Sequence, residues 1–182
     1  MRVVVVIAAV ITAACSSASS PTQTQTSTTP TATATAPHPP TVHVPPQGST
    51  PADGGCGGTP AFAGGTLPSW ATVNAPSSLP YVVASPAIVL GYIFTSPLKG
   101  GAENTNKILW YVWTQREGPL TAAGHPLGSS GPVATFSKAA DSGPGEIYPS
   151  GPSVPSPGCW QFTLTWQGGG GRNHAEVDLS FE

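Results

Sequence analysis

The chain has 182 residues, a formal net charge of −2 and only 8% charged residues. Ordinary soluble domains carry about 25% charged residues, so uncharged polar side chains must cover most of this surface. The six Lys and Arg residues form no cluster along the sequence. This argues against a nucleic-acid-binding protein, because phosphate contacts need concentrated basic charge.

An unbroken run of apolar or small residues extends from Val3 to Ala14. It is shorter than the roughly 20 residues of a membrane-spanning helix and has the length of a signal-peptide apolar region. Cys15 follows small residues, an arrangement that resembles a bacterial lipoprotein signal, in which the cysteine is acylated and becomes the mature N-terminus. We predict that residues 1–15 are such a signal and that acylated Cys15 attaches the protein to the membrane. The alternative is an ordinary secretory signal cleaved near Ala14 or Ala18.

The cysteine count supports this prediction. The chain has three cysteines, so an exported form would leave one unpaired. If Cys15 carries lipid, Cys56 and Cys159 are left as a pair in a compartment where disulfides persist. We therefore predict a Cys56–Cys159 disulfide.

Residues 16–55 are rich in Thr, Ala and Pro and hold almost nothing that can pack. Burial cannot offset the entropy of ordering such a segment, so we predict a disordered stalk that separates the membrane from a folded domain at residues 56–182. His38 and His43 lie in this stalk without nearby Cys or carboxylate residues, and we predict no metal site there.

All Trp, Phe and Tyr residues lie after Cys56. Helical periodicity is nearly absent, whereas short apolar or alternating runs recur between Gly and Pro residues. The predicted strands are residues 81–84, 87–94, 107–114, 120–127, 133–136, 146–148, 160–167 and 175–181. Gly124 and Pro126 favour an edge position for the fourth run. About eight strands without crossover helices predict an all-β fold, an antiparallel immunoglobulin-like β-sandwich.

The run from Trp160 alternates, with Trp160, Phe162 and Leu164 on one side. Cys159 has the opposite parity, so its sulfur should face away from the core that these residues enter. The predicted disulfide would then fasten the start of the domain to an edge or outer face of a sheet. This differs from antibody domains, in which the disulfide lies between the sheets.

Several segments together resemble a known group of exported proteins. They are Cys56 with Pro60 and Pro68-Ser69-Trp70-Ala71, the run Asn106-Lys107-Ile108-Leu109-Trp110, and Tyr148-Pro149-Ser150 leading through Pro155 to Gly158-Cys159-Trp160. This pattern is similar to uncharacterised exported lipoproteins, mostly of actinobacteria and related soil bacteria, and covers most of residues 56–182. The resemblance implies a small β-sandwich lipoprotein with a Gly-Cys-Trp motif, and it implies no activity or site.

No catalytic or metal-binding residues are predicted. His125 and His174 lie beside glycines, and no serine has the surroundings of an activated nucleophile. Glu176 and Asp178 share one strand face with His174, which alternating apolar residues mark as a solvated face. We therefore expect no enzyme and no cofactor. A concave pocket lined by two or more of His125, His174, Glu146 and Glu176 would count against that expectation.

The run 107–114 suggests a ligand face. It places Trp110 on one side of the strand and Tyr111 and Trp113 on the other, so one row must be covered by loops or exposed to a ligand. We predict a membrane-tethered, non-enzymatic extracytoplasmic module that binds a cell-wall component or an envelope protein. The alternative is a carbohydrate-binding or carbohydrate-active cell-wall protein. A flat exposed row of Tyr111 and Trp113 would favour glycan binding, and full burial would favour a scaffold role.

Overall fold

The computed structural model describes residues 44–71, 78–101, 105–131, 133–141, 143 and 146–182. The chain divides into two units, Met1–Pro37 and His38–Glu182, and every described residue belongs to the second. The predicted signal with Cys15, and the predicted stalk up to residue 43, lie outside the described residues.

The described residues form ten β-strands and one short 3-10 turn at Ser69–Ala71. The strands are Ser49–Cys56 (β1), Thr59–Gly64 (β2), Pro80–Val83 (β3), Val89–Ile93 (β4), Ile108–Val112 (β5), Leu120–Pro126 (β6), Ala134–Lys138 (β7), Ile147–Ser150 (β8), Gly158–Gly168 (β9) and Gly171–Phe181 (β10). All neighbours pair antiparallel in the order β7-β6-β9-β10-β1-β2-β3-β4-β5-β8. The outermost strands, β7 and β8, approach each other, so the sheet is nearly closed.

The all-β prediction is confirmed, and the eight predicted strands correspond to β3–β10. β1 and β2 have no counterpart among the predicted strands. β1 contains residues 49–55, which the sequence assigned to the stalk, so ordered structure begins before residue 56. Backbone pairing holds this strand, because Ser49 lies opposite Gly64 of β2 and Gly55 opposite Leu179 of β10. Because β1 is held through its backbone, its sequence shows no alternation of apolar and polar side chains that would predict a strand.

Strand β1 joins the two halves of the sheet. It pairs with β2 along its length and with β10 at its end, so the strands form one continuous sheet of ten. The division into two separate sheets that defines an immunoglobulin-like sandwich is not confirmed.

The prediction of β6 as an edge strand is wrong, because β6 lies between β7 and β9. Gly124 faces β9 so closely that a Cβ at this position would lie 2.4 Å from the ring of Phe162. The absence of a side chain at Gly124 therefore leaves room for the ring of Phe162. Pro126 is the last residue of β6, so its missing N–H removes no hydrogen bond from the interior of the strand.

Three tryptophans lie at the centre of the main core, and each is at most 1% exposed. The indole N–H of Trp110 donates to Ser150 Oγ at 2.9 Å, and that of Trp166 donates to Thr114 Oγ1 at 2.8 Å. The indole N–H of Trp160 donates to a backbone carbonyl oxygen at 3.1 Å. The core thus buries large apolar rings without leaving their polar groups unpaired.

The predicted Cys56–Cys159 disulfide is confirmed, with the two Cα atoms 5.9 Å apart. Cys159 pairs with Ser180 of β10 on the outer side of the sheet, whereas the next residue, Trp160, is fully buried. The parity argument is therefore confirmed as well. The bond fastens the end of β1 to the start of β9.

Candidate binding face

The outer face of β2–β5 carries a second apolar cluster beside the main core. Its buried members are Phe62, Ala71, Tyr81, Leu90 and Tyr92. Leu67 and Trp70, from the connection between β2 and β3, pack against this cluster. We call residues 66–71 the cover, because they lie over one end of an otherwise apolar sheet face.

The cover is fastened to the sheet through aromatic side chains. The rings of Trp70 and Tyr111 stack with their centroids 6.3 Å apart and their planes at 27°. The hydroxyl of Tyr92 donates to the carbonyl oxygen of Ala71 at 3.4 Å. Burial, followed by the nearby phenols of Tyr81 and Tyr111, raises the pKa of Tyr92 to about 12. Tyr92 is therefore packed between the sheet and the cover as an uncharged phenol.

Trp113 differs from Tyr111, although the sequence places both on one face. Its side chain is 61% exposed, whereas Tyr111 is half-buried under Trp70. The N–H of Trp113 donates to the carbonyl oxygen of Ile88 at 3.0 Å, which extends the β4–β5 pairing by one residue. Alternation along this extension puts the indole on the side of Tyr111. The predicted ligand face is therefore partly covered, and Trp113 is its exposed member.

An apolar groove of about 530 Å³ opens on the same face. Phe62 and Val83 line it from the sheet, and three segments line it from the sides: residues 44–46, 66–68 and 85–87. None of its lining side chains is ionisable. We call this feature the apolar groove.

The apolar groove and Trp113 lie at neighbouring positions. Ile88, which bonds to the backbone of Trp113, directly follows Ala87 in the wall of the groove. Val83 in the groove pairs with Leu90 of β4, which pairs with Tyr111 of β5. β3 and β5 are therefore two strand spacings, or about 10 Å, apart, and Trp113 directly follows the last residue of β5.

A second, shallow concavity of about 640 Å³ lies on the outer side of β6, β7, β9 and β10. The polar side chains that line it are Thr121, Thr135, Ser137, Thr163, Thr165 and Arg172. In β9 these hydroxyls alternate with buried residues, which is the pattern of a solvated strand face. The concavity therefore singles out no ligand chemistry.

The residues considered for catalysis do not meet in a concavity. His125, His174, Glu146 and Glu176 line neither of the two concavities. Among the described residues, no three His, Cys, Asp or Glu side chains are grouped as a metal site would require. Glu146 instead accepts a hydrogen bond from the backbone N–H of Arg116 at 2.6 Å and lies 3.8 Å from its guanidinium.

Asp178 is hydrogen-bonded to the turn between β1 and β2. It is only 6% exposed although it alternates with core residues, and its carboxylate accepts a hydrogen bond from the N–H of Gly58 at 2.8 Å. Its own N–H donates to Thr59 Oγ1 at 3.0 Å. The carboxylate pair of Glu176 and Asp178 that the sequence suggests is therefore split between an exposed and a buried environment.

The apolar groove itself was not predicted from the sequence. Its three side segments are far apart in the chain and meet only in the folded protein, and residues 44–46 fall in the predicted stalk. One signal was available, because each segment contains proline: Pro46, Pro68 and Pro86.

Comparisons with known proteins identify no family. No protein-family model matches the chain, and no curated protein matches it. A crystal structure described as a "Putative Lipoprotein from Bacillus anthracis" is similar over 64% of this chain and 97% of that chain, with 15% identity and a TM-score of 0.39. At this level of similarity, nothing is carried over to this chain. Within the described ranges, no helix combines the length and apolar character needed to cross a membrane.

Proposed function

We propose that this chain is an exported, lipid-anchored binding module without enzymatic activity, and that it binds an envelope component through the face formed by the apolar groove and Trp113. The exposure of Trp113 carries the proposal. The exposed indole and the neighbouring apolar groove together form an apolar surface, and such surfaces often mark binding sites. Tryptophan is also the residue type most enriched at the energetic centres of interfaces.

The proposed location is supported by two features of the chain. The apolar N-terminal run ends at Cys15, which has the surroundings of a lipoprotein acylation site. The disulfide between Cys56 and Cys159 suits an oxidising compartment outside the cytoplasm. An anchored N-terminus and a folded module at residues 49–182 would present the binding face to the cell envelope.

The immunoglobulin-like arrangement stays part of this proposal. One core cluster includes Val82 and Trp110 from the β2–β5 half of the sheet and Leu164 and Val177 from the β9–β10 half. A shared core between two halves is the packing expected of two layers. Interlayer contacts between Trp110 and Leu164 in an NMR structure would support it, and their absence would contradict it.

The experiment is site-directed photo-crosslinking in native envelopes. A photo-reactive phenylalanine analogue replaces Trp113 in the full chain, and a second variant carries it at Phe94 as the matched control. Phe94 is also exposed, at 42%, but it follows the opposite end of β4 from Ile88. The proposal predicts an adduct from position 113 and none from position 94. Equal yields from both positions, or none from either, would contradict it.

A carbohydrate-binding function is the second candidate, and the same observation favours it. A single exposed indole offers a stacking surface for a sugar ring, although Tyr111 is covered and the face lacks a flat aromatic row. Binding of purified cell-wall polysaccharide that is lost in Trp113→Ala would favour this candidate. A protein adduct at position 113 without polysaccharide binding would favour a protein partner.

A further inference from the structure

We propose that the Cys56–Cys159 disulfide is a redox-sensitive latch. It holds residues 56–59, which join β1 to β2 and which we call the latched turn, against β9 and β10. Its reduction releases this turn while the core stays folded. The inference rests on the proposed location outside the cytoplasm and does not depend on the ligand of the binding face.

The latched turn is attached by a few contacts that lie next to one another. β1 pairs with β10 where Gly55 lies opposite Leu179, whereas β9 and β10 pair along all eleven residues of each strand. The carboxylate of Asp178 accepts a hydrogen bond from the N–H of Gly58 at 2.8 Å, and its own N–H donates to Thr59 Oγ1 at 3.0 Å. The disulfide is the covalent member of this group. Because the contacts are adjacent, the turn can detach as one unit once the disulfide is broken.

Strand β1 contributes little to the buried core. All of its residues are described, and the one that packs against the main core is Ala52, which is half-buried. Gly54 is buried against Ile93 but has no side chain. Detaching the end of β1 therefore exposes little apolar area, whereas global unfolding exposes the whole core. Local opening of the latched turn thus costs far less free energy than unfolding of the domain.

The disulfide lies on the outer side of the sheet, where a thiol can approach it. Both cysteines are half-buried, and three neighbouring residues, Gly57, Gly58 and Gly158, are exposed and carry no side chain. Apart from its chain neighbours, no heavy atom of the described residues lies within 4 Å of the position that a Cβ of Gly158 would take. Thiol–disulfide exchange requires access of a thiolate to one of the two sulfurs. The surroundings of this bond provide that access with no more than a local opening.

The reductant in this proposal is a protein dithiol of the Cys-x-x-Cys type outside the cytoplasm. Its thiolate attacks one sulfur of the bond, the S–S bond breaks, and the other cysteine leaves as a thiolate that takes up a proton. The second thiol of the donor then attacks the mixed disulfide, which releases the first cysteine as a thiol and leaves the donor as a disulfide. Two electrons and two protons thus pass from the donor to Cys56 and Cys159.

The first test is the rate at which dithiothreitol reduces the bond, measured by alkylation of the free thiols and mass spectrometry. The folded full chain is compared with the same chain unfolded in urea. If the turn opens locally, we expect reduction of the folded chain to be less than about a thousandfold slower. Reduction that required global unfolding would be slower by about a thousandfold or more, because folded domains are favoured over unfolded chains by at least that ratio. Such a rate would overturn the inference.

Two matched variants test the route of reduction. Asp178→Ala removes the acceptor for the N–H of Gly58 and should speed reduction of the folded chain at least about threefold. Glu176→Ala removes the same charge from an exposed position two residues away, and it should leave the rate within about twofold. Equal rates in the two variants would show that release of the latched turn does not limit reduction, and would overturn the inference.

NMR spectroscopy of the reduced full chain distinguishes a latch from a bond that the whole fold needs. We expect the amide resonance of Gly58 to move to its random-coil position, while the indole N–H resonances of Trp110 and Trp166 keep the shifts of the oxidised protein. The double variant Cys56→Ser, Cys159→Ser should give the same spectrum. Collapse of the indole resonances to random-coil shifts would overturn the local opening, and an unchanged Gly58 resonance would overturn the latch.

The state of the bond in native envelopes tests its use as a switch. Free thiols are tagged with a maleimide in acid-quenched envelopes, and we expect the oxidised chain together with a form that carries two further tags. Two tags identify the pair, because Cys15 is the only other cysteine and adds at most one. The oxidised chain alone would overturn the switch and leave the proposed location intact. The reduced chain alone would contradict the proposed location as well.

Discussion

The indole of Trp70 stacks on the phenol of Tyr111, with ring centroids 6.3 Å apart and planes at 27°. Trp70 belongs to the cover and Tyr111 to β5, so the stack fastens a loop onto the outer face of the sheet. The stack also makes Tyr111 and Trp113 different, although strand alternation places both on the same face. Tyr111 becomes part of a packed layer, and Trp113 is left 61% exposed.

Replacing Trp70 by alanine should destabilise the protein. The change removes the stack and part of the cover's apolar contact, and we expect the free energy of unfolding to fall by about 2–3 kcal/mol in urea titration. Trp113→Ala is the control, because an exposed side chain contributes within about 0.5 kcal/mol. Similar losses in both variants would show that Trp70 does not fasten the cover.

Replacing Gly91 by alanine should be more damaging than an ordinary glycine substitution. A Cβ at Gly91 would lie 2.5 Å from the ring of Trp110, which is fully buried and cannot move aside freely. We expect a loss of about 1–3 kcal/mol in the same assay. Gly131→Ala is the control, since nothing lies within 4 Å of the corresponding Cβ. If the two variants unfolded at the same urea concentration, the close approach would not exist in solution.

The carboxylate of Asp178 should matter for stability, and that of its neighbour Glu176 should not. Asp178→Ala removes the acceptor for the Gly58 N–H, and we expect a loss of about 1–2 kcal/mol. Glu176→Ala changes an exposed side chain on the same strand, and its effect should stay within about 0.5 kcal/mol. Thermal unfolding of both variants measures the difference. The reverse order of effects would refute the role given to Asp178.

Stability should fall at alkaline pH, in part because of Tyr92. Its pKa is raised from 10.0 to about 12, so folding favours the uncharged phenol. This contribution is fully present below pH 10 and is lost as the pH rises from 10 towards 12. The Tyr92→Phe variant has no phenol to ionise at this position. Between pH 9 and 11.5 its free energy of unfolding should therefore fall by on the order of 2 kcal/mol less than that of the unchanged protein. Urea titrations across this pH range measure how the free energy of unfolding of each protein changes with pH. The same change in both proteins would contradict the raised pKa of Tyr92.

The sequence predicts well wherever side chains carry the signal. The alternation from Trp160 to Trp166 fixes one face of β9, and the parity of Cys159 places the disulfide on the other face. In each case burial of one strand face leaves a period of two in the sequence.

The remaining features depend on contacts between distant segments. β1 is held by backbone pairing and contains Pro51, Gly54 and Gly55, which read as linker. The apolar groove exists only where three proline-containing segments converge. Whether Tyr111 or Trp113 is exposed depends on where Trp70 lies, and strand alternation carries no information about a cover from another part of the chain.

The most direct test of the proposed binding face is the affinity of the full chain for isolated native envelopes, measured for the unchanged protein, Trp113→Ala and Phe94→Ala. The proposal predicts that Trp113→Ala raises the dissociation constant at least about tenfold and that Phe94→Ala leaves it within about twofold. Equal affinity of all three proteins, or an equal loss in both variants, would contradict the assignment of the binding face to Trp113 and the apolar groove.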